Sequence, residues 1–202
     1  MRYLLLLGLW WFTSAAVAAP VILVFGDSLA AGYGLPQKAG WVELLQQRLA
    51  KEQRHYSVVN ASISGETTAG GRARIAAALK EYRPAIVVLE LGANDGLRGL
   101  PLEASRANLA AILQACREQQ ARVLLVGMKI PPNYGAAYTR QFEETYRELA
   151  GQFHTAWVPF LLEGIAANRD QFQADGLHPT VAAQPLVLEN VWRELKPLLG
   201  KH

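Results

Sequence analysis

The chain is poor in cysteine: Cys116 is the only one among 202 residues. A lone cysteine cannot close an internal disulfide, so an oxidising compartment offers this protein no covalent staple. Cys116 ends the stretch Leu109-Ala110-Ala111-Ile112-Leu113-Gln114-Ala115-Cys116, which has helical spacing and reads as a buried face. Charge of one sign is also scarce. Twenty Lys and Arg face seventeen Asp and Glu, for a formal charge of +3, and no run of cations occurs. Binding a phosphate backbone takes clustered cations, so no nucleic-acid partner is expected. The histidines, His55, His154, His178 and His202, have no ligand spacing among them, and no metal or other cofactor is expected. A G-x-x-x-x-G-K-[ST] loop is missing, which excludes a nucleotide hydrolase of the P-loop kind. Repeats, low-complexity tracts and linkers are missing as well. The length then suits one domain with a full core.

The N-terminus has its own character. Arg2 precedes an apolar run from Tyr3 to Phe12, followed by Thr13, Ser14 and small residues. Ala16-Val17-Ala18 fits the small-x-small rule of a signal-peptide cleavage site. The apolar run is short for a membrane span of about 20 residues. Residues 1–18 are therefore expected to be a cleaved signal peptide, and 19–202 the mature domain. No cysteine follows the cleavage point, so no lipid attachment is expected. The expectation is an exported, periplasmic protein with no stable membrane anchor, acting as a monomer.

Along the mature chain two periodicities alternate. Val21–Phe25, Tyr56–Asn60, Ala85–Leu91, Arg122–Met128 and Thr155–Phe160 are short, apolar and rich in β-branched residues, as strands are. Their near-continuous apolarity suits strands buried on both faces. Between them Trp41–Lys51, Arg74–Tyr82, Leu102–Arg117, Ala137–Phe153 and Leu186–Leu199 carry helical spacing. Arg83-Pro84 stops the second helix and Gly200 caps the last. Strands alternating with helices predict an α/β fold: a three-layer αβα sandwich, flavodoxin-like, with a five-stranded parallel sheet and helices on both faces. Ligands bind at the carboxyl ends of the strands in such sheets.

That rule gives four polar clusters their meaning. Gly26-Asp27-Ser28-Leu29 follows the first strand, Ser64-Gly65-Glu66-Thr67 the second, and Gly92-Ala93-Asn94-Asp95 the third. Asp175-Gly176-Leu177-His178-Pro179 follows the fifth. Singly, each reads as turn chemistry or a helix cap. Together on one rim they supply what acyl transfer needs. Ser28 is the candidate nucleophile, at a turn where Gly26 permits a tight backbone. His178 is the candidate base, and Asp175, three residues earlier, the acid that holds its tautomer. The Ser28 N–H, the Gly65 N–H and the Asn94 amide are the candidate oxyanion donors. Asp27 is assigned to holding the turn, with Asn60 or a backbone N–H as partner, and Asp95 to structure.

These blocks resemble the four motifs of the SGNH (GDSL) hydrolase superfamily, whose four letters would be Ser28, Gly65, Asn94 and His178. The resemblance runs the whole mature length. VVNASISGET, LELGANDGLRG and IPPNYG resemble a narrower group, the TesA-type periplasmic acyl thioesterases and lysophospholipases, also known as arylesterases. Ala93 departs from it, standing where the group often has a second glycine. No G-x-S-x-G occurs, so Ser28 is not on the nucleophile elbow of α/β-hydrolases. The resemblance implies a serine esterase acting on small-molecule acyl esters, thioesters and lysophospholipids. Ile130, Pro131, Asn133 and Tyr134, in the loop after the fourth strand, are expected to wall the acyl groove, with Leu97 and Phe160 lining it; Leu100 and Leu161 are further lining candidates. Two other readings stand beside this one. The same site would serve a carbohydrate acetyl esterase. A non-catalytic flavodoxin-like module would hold flavin phosphate in the first loop, but leaves Asp175 and His178 unexplained.

Overall fold

The computed structural model describes residues 19–200. The expected signal peptide, residues 1–18, and His202 lie outside the described residues. In chain order the elements are β1 (Val21–Gly26), α1 (Ser28–Ala31), α2 (Trp41–Lys51), β2 (Ser57–Asn60), α3 (Thr68–Tyr82), β3 (Ile86–Glu90), α4 (Ala93–Leu97), α5 (Leu102–Glu118), β4 (Arg122–Val126), α6 (Ala136–Phe153), β5 (Ala156–Val158) and α7 (Gln184–Leu195). The strands form one sheet in the order β2-β1-β3-β4-β5, with every neighbouring pair parallel. This is the flavodoxin-like order, with its switch point between β1 and β3.

Burial explains why the strands read as unbroken apolar runs. All five positions of β3 are buried, and so are Ile22 to Phe25 of β1. Alternation would mark a sheet with one wet face; continuity marks one covered on both. Helices α3, α5 and α6 pack side by side as one layer, and α2 packs against α7 as the other. Trp41, Val42, Leu45 and Leu49 form the buried stripe of α2. Its first N–H, on Trp41, donates to the buried Gln184 side chain at 3.0 Å, so the starts of α2 and α7 are tied together. Arg83 closes α3 in a left-handed conformation, ahead of Pro84.

Two helices differ most from the sequence expectation. Helix α3 begins at Thr68, not Arg74, and runs through Gly70-Gly71. Thr67 caps it by accepting the Gly70 N–H. Gly71 is buried where the helix crosses the sheet, and a Cβ there would lie 2.3 Å from Leu91 Cδ1 and 3.3 Å from Phe25. Close approach to the sheet thus outweighs the low helix propensity of glycine. At the other end, α7 stops at Leu195 and a 3-10 turn at Lys196–Leu198 follows. Gly200 does not cap it; the Gly200 N–H donates to the Tyr56 hydroxyl at 3.0 Å.

Gly71→Ala tests this account. Alanine improves helix propensity by about 1 kcal/mol, but overpacking costs about 1–3 kcal/mol. The variant should therefore show a lower urea midpoint with an unchanged m-value.

Candidate active site

The carboxyl ends of β1, β2 and β3 and the loop before α7 converge on one rim. β1 ends at Gly26, whose role is space: its φ is not left-handed, and a Cβ there would lie 2.5 Å from Glu90 Oε2. Asp27 is the N-cap of α1, its Oδ1 accepting the Leu29 N–H at 3.0 Å. Ser28 is then the first helical residue rather than the cap. Its N–H and that of Gly65 donate to no acceptor among the described residues.

Ser28 Oγ lies 2.8 Å from His178 Nε2, and His178 Nδ1 lies 2.7 Å from Asp175 Oδ2. The other Asp175 oxygen accepts the backbone N–H groups of Leu177 and His178, at 2.9 and 3.1 Å. Gly176, at φ +74°, gives this tight loop its left-handed residue. The Leu177 N–H above all, with the His178 ring, lowers the Asp175 pKa to about 2. Asp175 is therefore an anion at neutral pH. The Tyr33 ring lies against His178 with centroids 4.6 Å apart.

Asn94 stands at the start of α4, after Gly92 at φ +115°. Its amide donates to Asp27 Oδ2 at 3.0 Å and to the Glu66 carbonyl at 3.1 Å. Asp27 therefore pairs with Asn94 and not with Asn60, which donates to the Ala30 carbonyl instead. Gly65, at φ +79°, is held by Arg98, whose guanidinium donates to its carbonyl at 3.0 Å. Arg74 pairs with Glu66 and lies over the Phe25 ring. Asp95 is structural: its carboxylate accepts Thr68 N–H, Thr68 Oγ1 and Ser105 Oγ. Burial raises the Asp27 pKa to about 6, and burial plus the Asp27 charge pushes Glu90 well up.

A cavity of about 430 Å³ opens beside Ser28, Asn94 and His178. Leu97, Ile130, Pro131 and Phe160 line it, as does Ala93. Asn133 and Tyr134 do not. They sit in the 3-10 turn Pro132–Tyr134, and the Tyr134 hydroxyl anchors that turn to the Leu97 carbonyl at 2.8 Å. Leu161 is fully buried in the core and Leu100 lies outside the lining. Sequence reasoning missed Met128, Lys129, Leu162 and Phe172, which line the cavity. It also missed Tyr33 and Glu90. Glu90 carried a signal: it is the one charged residue in the apolar run of β3. Among the described residues no cluster of three or more His, Cys, Asp or Glu could hold a metal ion.

Known proteins share this sequence pattern and fold. Residues 24–185 match the family described as GDSL-like Lipase/Acylhydrolase. The chain is 54% identical to Esterase TesA of Pseudomonas aeruginosa over 182 residues, covering 90% of each. It is 40% identical to Thioesterase 1/protease 1/lysophospholipase L1 of Escherichia coli K12, covering 93% of this chain and 89% of that one. A crystal structure of TesA, at 54% identity, superposes with a TM-score of 0.87 over 89% of this chain and 99% of the other. With a match that runs from the end of β1 to the start of α7, the chain belongs to the GDSL-like lipase/acylhydrolase family.

Proposed function

We propose that this protein hydrolyses carboxylic esters and thioesters with medium or long acyl chains, lysophospholipids among them, through an acyl-enzyme on Ser28. The observation that carries the proposal is the hydrogen-bonded line Asp175–His178–Ser28 at the mouth of an apolar cavity. Ser28 Oγ attacks the acyl carbonyl while His178 Nε2 takes its proton. Asp175, already an anion, accepts from Nδ1 and stabilises the imidazolium. The imidazolium then protonates the departing alcohol or thiol. Water, activated by the same histidine, releases the fatty acid.

The oxyanion of each tetrahedral intermediate would meet the N–H groups of Ser28 and Gly65 and the Asn94 amide. Asp27 holds one amide hydrogen of Asn94; the other donates to the Glu66 carbonyl and would be shared with the oxyanion. Leu97, Ile130, Phe160 and Leu162 would cover the acyl chain and exclude water from it. An acetyl group would leave most of that surface bare, which disfavours the carbohydrate-esterase reading.

The protein would be exported to the periplasm by cleavage after Ala18 and act as a monomer without a membrane anchor. The small-x-small end of the N-terminal apolar run supports the export. No helix among the described residues is long and apolar enough to cross a membrane.

Initial rates on p-nitrophenyl esters of graded chain length, with acyl-CoA and a lysophospholipid in parallel, test the reading. Activity should rise from acetyl to longer chains and vanish in Ser28→Ala. Equal rates in the two proteins would remove Ser28 from the chemistry, and activity confined to acetyl esters would move the substrate to acetylated carbohydrate. Asp175→Asn should lower kcat by about 10²–10⁴-fold with the far-UV spectrum unchanged. Asn94→Ala should cost about 10²–10³-fold in kcat and little in KM.

A further inference from the structure

Glu90 closes β3 with no exposed surface. Its Oε2 accepts the Asp27 N–H at 3.2 Å, and its Oε1 has no protein partner. Asp27 is equally buried. Glu90 is paired with Gly26 in the sheet register, which sets it beside Asp27, the next residue. Two carboxylates in such a place cannot both ionise, so at least one keeps a proton. The donors decide which. The Asp27 carboxyl accepts from both Leu29 N–H and the Asn94 amide, which stabilise its anion. Glu90 accepts one N–H at hydrogen-bond distance, from Asp27, with the Ala30 N–H a second and weaker influence, and no side-chain donor matches the Asn94 amide. The other titratable groups facing the pair do not change this. Tyr146 of α6 donates its hydroxyl to the Leu91 carbonyl, Asp95 of α4 is spent on Thr68 and Ser105, and His178 lies on the Asp27 side.

We propose that Glu90 is a positioning residue: it stays a carboxylic acid, donates its proton to Asp27, and so keeps Asp27 the anion that aims the Asn94 amide. This rests on Asn94 being an oxyanion donor. A charge-assisted bond orients an amide more firmly than a neutral one. Sharing the Glu90 proton also spreads the Asp27 charge, which would otherwise oppose a developing oxyanion at close range.

The sign of one experiment separates this from the alternatives. As pH falls through about 6, Asp27 gains a proton, Asn94 loses its anionic acceptor, and kcat declines. An amide is a weaker donor than a carboxylic acid, and an alkyl group is none. Glu90→Gln should therefore move the acid limb of the kcat profile to higher pH, and Glu90→Leu should move it further, by about one pH unit. KM for a p-nitrophenyl ester should change little. If Glu90 were instead an anion, removing its charge would move the limb to lower pH. A limb that stays in place would leave Glu90 a packing residue. Either result overturns the proposal. Carboxyl ¹³C NMR titration of the unaltered protein and of Ser28→Ala needs neither folded Glu90 variants nor activity. One buried carboxyl titrating near pH 6, with Glu90 keeping its proton to higher pH than Asp27, is expected. Two ionised carboxylates at pH 7 would overturn the proposal even if Ser28 is the nucleophile.

Discussion

A single buried carboxyl, that of Asp27, ties the working edge of this molecule together. It caps α1 through Leu29, receives the Asn94 amide from α4, and through its own N–H reaches Glu90 at the end of β3. β1 and β3 are neighbours at the centre of the sheet. Their ends would otherwise carry two separate loops free to move against each other. Joining them below the surface sets the direction of the Ser28 N–H and the Asn94 amide at once. Catalysis by fixed dipoles depends on donors that need no rearrangement when charge appears.

The parallel sheet makes this arrangement possible. Parallel strands return through crossovers, so the loop that follows each strand emerges at the same edge. The serine block, the glycine block, the asparagine block and the acid–base block are far apart in sequence, yet each follows a strand of one sheet or the loop after it. Glycine appears in this neighbourhood for two different reasons. Gly65, Gly92 and Gly176 take left-handed backbone, whereas Gly26 makes room for a carboxylate.

Much of this was legible in the sequence because the strands are covered on both faces. Such burial leaves continuous apolar runs with clear ends, and the polar blocks stand where the runs stop. Elements whose form depends on tertiary contact were harder to read. The first turn of α3 hides behind Gly70-Gly71, since nothing local says that Leu91 and Phe25 press on Gly71. Gly200 looked like a cap because the partner that claims it, Tyr56, is far away in the chain. In the loop after β4, composition could not say which side faces the cavity. Pro132 and Lys129 face it, while Tyr134 turns its hydroxyl back to Leu97. Glu90 was concealed by the apolar run that surrounds it, although a charge in a fully buried strand was the sign to follow.

The contact between Ser28 and His178 spans 150 residues, from the end of the first strand to the last loop before the final helix. A nascent or partly unfolded chain holds the proposed nucleophile without its proposed base. An unassisted serine hydroxyl is a poor nucleophile. On the proposed mechanism, reactivity arrives only when the two extremities of the domain have met across a finished sheet. The order of the chain would then act as a safety catch, arming the serine last.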